Sequence, residues 1–371
     1  MESSKVTCPV QQRVARPHVN EGVHTLHKRL LHFLPRSWHS ARALACVALA
    51  HILHTRYKQL RNIDDLNEAV VLAQEALSFC PSGHPHREMA LKNLAICLVF
   101  RYDQLGGVDD LNEAIVLTRD VLSLRPPGHR DRSVSLDDLA CHLSSRYNQL
   151  GGVDDLNEAI VLARDAVSLR PPGHPDRSVS LDNLAATLGT RYNHLGEVDD
   201  LNEAIVLARD ALSLRPPGHS GRARSLGNLA LHLVFRYNRL GEVDDLNEAI
   251  VLAREALALR PPGHRLRSWS LGNLANHVVS RYKQLGGIDD LNEAIVLTRD
   301  ALLLCPPGHP LRPWSLDSLA NHLDSRYNQL GGIDDLNGHR FRQRCSLAMP
   351  TRTPASLVIF GQSCKSSRLS V

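Results

Sequence analysis

Aromatic residues make up only 4% of the 371 positions, and methionine occurs three times. All seven tyrosines fall in one dipeptide, Arg-Tyr, which points to a single unit copied many times. The eight cysteines (Cys8, Cys46, Cys80, Cys97, Cys141, Cys305, Cys345 and Cys364) form no Cys-x-x-Cys pair and no framework spacing. No secretory hydrophobic segment opens the chain, so reduced thiols in a cytoplasmic protein are expected. The longest apolar run, around Ala41–Leu53, is broken by His51 and falls short of the roughly 20 residues of a membrane helix. There is no Gly-x4-Gly-Lys-Ser/Thr phosphate loop, and no EF-hand spacing follows the acidic pairs. Positive charge is scarce where a nucleic-acid groove would need it. Residues 37–337 hold 31 basic and 37 acidic side chains, and the overall +4 comes from the two ends. An RNA-reading helical repeat is therefore the disfavoured alternative, to be revived by salt-dependent binding of single-stranded RNA.

What the chain does have is a period. The leucine of "DDLN" recurs at 66, 111, 156, 201, 246, 291 and 336, every 45 residues without a slip. The Arg-Tyr pair keeps the same step from Tyr57 to Tyr327, and a turn histidine keeps it from His84 to His309. A fixed period of this length means stacked supersecondary units that share a core. Each unit reads as two helices. In "DDLNEAIVLARDALSLRPPGH", Leu201, Ala204, Ile205, Ala208, Ala211 and Leu212 form one apolar stripe at helical spacing. Asp200 and Glu203 have capping-box spacing, Arg215 suits a helix C-terminus, Pro216 and Pro217 stop the helix, and Gly218 permits a left-handed exit. The other helix, "SLDNLAATLGTRYNHLG", places Leu181, Leu184, Ala185, Leu188, Tyr192 and Leu195 on one face. Short loops make the two antiparallel neighbours.

The order Leu181, Leu184, Ala185, Ala204, Ala211, Pro216 resembles the tetratricopeptide (TPR) repeat. The stretch "HPDRSVSLDNLA" is most similar to its longer, kinesin-light-chain type. Ala185 to Ala204 spans 19 residues, about seven more than usual, and the proline turn is about four longer, giving 45 in place of ~34. Seven residues is two helical turns, so the apolar face is not rotated. HEAT-type repeats share the length class, but the small-residue columns and the proline favour the resemblance to the tetratricopeptide repeat. The resemblance covers residues 37–337 and implies an all-α, right-handed superhelical solenoid of antiparallel helix pairs. Six pairs and a terminal helix near 311–330 are expected, the latter made cap-like by Asp317, Asn321 and Asp324. Residues 1–36 read as a disordered basic segment with a short helix near Val23–Leu34, and 338–371 as a disordered basic tail. The pattern breaks where "DDLNEA" becomes "DDLNGH" at Gly338, as a shifted reading frame or a retained intron would produce.

The resemblance implies a non-catalytic scaffold that binds a protein or peptide in a concave groove lined by the first helices. Fungal arrays with this wording often precede a caspase-like CHAT domain or accompany an NTPase switch domain. A regulatory fragment lacking its effector is thus the alternative, to be tested by a longer parent transcript. No cofactor or metal is expected. Equivalent turn histidines on stacked helices stand at least about 8–10 Å apart, whereas zinc ligands each lie about 2.0–2.1 Å from one ion. The histidines are read as turn caps, the aspartate pairs as helix starts, the tyrosines as packing between helices, and each arginine before them as a partner for a nearby acid. No cysteine has a fixed histidine partner. The copies differ most in the middle of the first helix, at 96–97, 99–100 and their equivalents. The candidate groove residues are Asn93, Asn183, Asn228, His232, Asn273, Asn276, His277, Asn321 and His322. Asn93, Asn183, Asn228 and Asn273 resemble the groove asparagine that bonds a peptide backbone; Asp138 and Ser318 depart from it.

Overall fold

The computed structural model describes residues 38–307, 309 and 311–331. The expectations for 1–36 and 338–371 lie outside the described residues. Thirteen helices occur among them, with no strand. They are α1 (His39–Leu60), α2 (Ile63–Ser78), α3 (Arg87–Leu105), α4 (Val108–Ser123), α5 (Arg132–Leu150), α6 (Val153–Ser168) and α7 (Arg177–Leu195). Then come α8 (Val198–Ser213), α9 (Arg222–Leu240), α10 (Val243–Ala258), α11 (Arg267–Leu285), α12 (Ile288–Leu303) and α13 (Arg312–Leu330). The chain divides into two compact units, Met1–Leu124 and Arg125–Val371. α1–α4 belong to the first unit and α5–α13 to the second. Within each unit every odd-numbered helix except α13 packs on the even-numbered helix that follows it, and successive pairs stack. The result is an all-α repeat.

The alanine columns explain the close packing. Ala159, Ala204, Ala249 and Ala294 are all fully buried, as are Leu156, Leu201, Leu246 and Leu291. A methyl group at the contact lets two backbones approach, and the leucine fills the space beside it. First helices from α3 onward end at a glycine in the left-handed region, such as Gly196 at φ 74°, where a β-carbon would be strained; α1 ends at Arg61 in the same region.

Two expectations about the helix ends are corrected. Asp200 does not build a capping box: the N-cap of α8, Glu197, makes no side-chain cap bond. Asp200 instead accepts both Nε and Nη2 of Arg191, at 2.6 Å each, and Glu203 accepts from Arg164. The same fork joins Arg56–Asp65, Arg101–Asp110, Arg146–Asp155, Arg236–Asp245 and Arg281–Asp290. A bidentate pair is worth more than a single backbone cap, and the reversal of the chain between the helices brings residues nine apart together. The expected partner for the arginine of Arg-Tyr is therefore this second aspartate.

The other correction concerns Arg215. It follows the end of α8 and is buried at 2% exposure, bonded to Asp182 of α7 and Ser225 of α9. Arg170 does the same with Asp137, at 2.5 Å, and Ser180. Each arginine thus clasps one first helix to the next. Burial raises both aspartates, Asp137 to about 6, with the arginine and serine offsetting part of the shift.

The turn histidines cap, as expected. Nδ1 of His84, His129, His174, His219, His264 and His309 accepts the backbone N–H two residues on, at 3.0–3.2 Å.

A candidate groove on the first helices

Site geometry begins with spacing. On α11, Asn276, Val279, Ser280 and Lys283 stand at i, i+3, i+4 and i+7, one face of a helix. On α13, Ser318, Asn321, His322 and Ser325 repeat that spacing. These eight residues line a depression of about 480 Å³ between the two helices. Three of the expected groove residues, Asn276, Asn321 and His322, therefore meet at one place.

The lining has defined hydrogen-bond roles. Ser280 donates to the Asn276 carbonyl and Ser325 to the Asn321 carbonyl, so each hydroxyl oxygen keeps acceptor capacity. Thr298 donates its only hydroxyl proton to Ala294 O and also lies 3.2 Å from His322 Nδ1. With that proton on Ala294 O, His322 donates from Nδ1 and Nε2 is the acceptor; in the other tautomer the roles of the two nitrogens exchange. Burial, with nearby Lys283 adding to it, lowers His322 to about 4, so the ring is neutral. Lys283 supplies the one formal charge of the lining.

The remaining candidates lie outside that lining, and His322 within it is itself buried. His232 and His277 are buried, and burial lowers each to about 4. Neither ring nitrogen of His232 is hydrogen-bonded. Asn93 and Asn228 are also buried, whereas Asn183 and Asn273 are half-buried. The side-chain N–H groups of Asn93 and Asn183 meet no protein acceptor.

One role of these columns escaped the sequence reading. A β-carbon on Gly189 of α7 would lie 2.6 Å from the His232 ring of α9, so the glycine makes room for the histidine. Ser144 and Thr187, in the same two columns one repeat earlier, touch at 3.5 Å between hydroxyls. Part of the variation between copies is thus complementary packing of neighbouring first helices. The signal was present as paired changes 43 residues apart.

Tyr192, Tyr237 and Tyr282 send their hydroxyls to the next first helix, to Phe235 O, Gln284 and Gln329. The thiols of Cys46 and Cys97 are buried and pushed up to about 12, which keeps them protonated at neutral pH. Among the described residues no cluster of three or more His, Cys, Asp or Glu side chains could hold a metal ion, and no helix is long and apolar enough to cross a membrane.

No protein-family model matches the sequence, and no curated protein does. Solved structures do. The quorum sensor NprR of B. thuringiensis, in its apo form, is similar over 88% of this chain and 81% of its own, at 14% identity and a TM-score of 0.59. A kinesin light chain-like protein of Podosopora anserina, with nearly identical TPR-like repeats, is 22% identical over 59% of this chain and 98% of its own, at a TM-score of 0.41. YrrB, a TPR protein with an unusual peptide-binding site, is 15% identical over 58% of this chain and 89% of its own, at 0.38. The repeats have a TPR-like fold. In this TPR-like array the odd-numbered helices carry every candidate groove residue, and the even-numbered helices carry the apolar stripe, which scarcely changes between copies.

Proposed function

We propose that the chain is a non-catalytic scaffold that binds a protein or peptide along the exposed face of its first helices. The observation that carries this reading is the depression between α11 and α13. Its lining coincides with columns that differ between otherwise near-identical copies, and it offers donors and acceptors rather than an apolar wall. Amide, hydroxyl and neutral imidazole groups suit the alternating N–H and C=O groups of an extended peptide backbone. Preformed on rigid helices, such a surface binds at low ordering cost.

The test exchanges the less buried residues, since His232, His277 and His322 are all buried. Replacing Asn276 and Asn321 with alanine and Lys283 with glutamate should abolish capture of the native partner, read by affinity capture and mass spectrometry. Helical content by circular dichroism should be unchanged. Retained capture would put the interface elsewhere.

A further inference from the structure

α13 carries an apolar face that its equivalents hide. On α11 the corresponding residues Leu271, Leu274 and Val278 are 3%, 2% and 0% exposed, and Leu226, Leu229 and Leu233 on α9 are equally buried. Their counterparts on α13, Leu316, Leu319 and Leu323, remain partly exposed. The difference has a visible origin. α5, α7, α9 and α11 each pack on a following second helix of their own pair, and no such helix follows α13 among the described residues.

We propose that this face docks an amphipathic helix from a partner polypeptide with the chemistry of this chain's own second helices. That chemistry is written out in α12: leucine, alanine and isoleucine at Leu291, Ala294 and Ile295, all at most 1% exposed, and a second alanine at Ala301. In sequence, the chain's own continuation carries a different chemistry. After "IDDLN" at 333–337, His339 stands in the column of Ala294 and Arg340 in that of Ile295. An imidazole is too large for a contact closed around a methyl group, and a guanidinium there would bury a charge. A helix that keeps alanine and isoleucine meets neither obstacle. This surface is separate from the groove and does not depend on it.

The probe is a labelled peptide with the sequence of α12, Ile288–Leu303, titrated into the full chain and followed by fluorescence anisotropy. Saturable binding is expected. Leu319→Asp should weaken it about tenfold or more, the loss expected for one buried leucine contact. Leu316→Ser serves as a second variant, and both are checked for helical content by circular dichroism. Asn276→Ala, in the groove, should leave binding unchanged. A peptide copying the chain's own break, with histidine and arginine at the Ala294 and Ile295 positions, should not bind. Absence of saturable binding overturns the proposal, as does binding that Leu319→Asp and Leu316→Ser leave intact. Self-association in sedimentation that Leu319→Asp abolishes would make the occupant a second copy and equally overturn it.

Discussion

Asp182 and Arg215 are both at least 98% buried, yet they lie in the loop and on the face that a sequence reader assigns to solvent. Their charges are tolerable because each meets the other and Ser225. Removing one partner leaves an uncompensated charge in the interior. Asp182→Ala should therefore cost about 3–5 kcal/mol, while Asp182→Leu with Arg215→Met should cost much less. Amide hydrogen exchange across α7–α9 would report both. Equal protection in wild type and Asp182→Ala would show that the pair holds nothing. The chain carries its own comparison at the next junction. Where Asp137 and Asp182 stand, the next two repeats have Gly227 and Gly272, before Asp317 restores the aspartate. Arg260 accordingly lacks a carboxylate among the described residues. It bonds Ser270 and Ala223 O, with its guanidinium 5.5 Å from the Trp269 ring, and burial lowers it to about 10.

At the scale of elements, neighbouring first helices are matched to one another. Gly189 on α7 is the clearest case, because an added methyl would strike the buried His232 ring of α9. Gly189→Ala should destabilise by about 1–3 kcal/mol in the wild-type chain. In a His232→Thr background, which copies Thr187 of the preceding repeat, the same change should stabilise by up to about 1 kcal/mol, the helix-propensity gain. Urea titration of the four proteins gives the coupling. A change of the same sign in both backgrounds would remove the contact from the account. The elements themselves were legible in the sequence: the period, the helix pairs and the histidine turn all appear where the apolar and proline columns put them. The ties between elements were less so. Asp200 looked like a cap because three-residue spacing is a local signal, whereas its true partner Arg191 lies across a chain reversal. Arg215 looked like a helix-end cation because its partner is 33 residues away. Of the candidate site, Asn276, Asn321 and His322 were legible as variable positions, but which variable positions face outward depends on helix rotation in the stack.

For the molecule as a whole, buried histidines tie stability to pH. His232, His277 and His322 each have a folded pKa near 4 against about 6.5 unfolded. The unfolded chain therefore takes up these protons first. Their neutral-state stability is complete above about pH 6.5 and is lost as pH falls toward 4, by ~1.4 kcal/mol per pH unit for each ring. Asp137, raised to about 6, titrates in the opposite sense, since its folded form protonates first. A paired comparison cancels that contribution. Between pH 6.5 and 4, wild type should lose stability relative to His277→Leu by ~1.4 kcal/mol per unit. Parallel pH profiles in thermal unfolding would refute a buried neutral ring.

The two glycine-bearing junctions also make the chain optically uneven. A β-carbon on Gly272 would lie 2.2 Å from Trp314, and one on Gly227 would touch Trp269 at 3.5 Å. Of three tryptophans in the sequence, these two stand where an indole fills the place that a carboxylate holds in earlier repeats, and Trp38 is largely exposed. Intrinsic fluorescence consequently reports the α9–α13 stretch together with Trp38 at the start of α1, with no tryptophan in the clasped stretch between them, while circular dichroism sums over every helix. Of the junctions between first helices, the two where the repeat abandons its charged clasp are the ones that carry an indole.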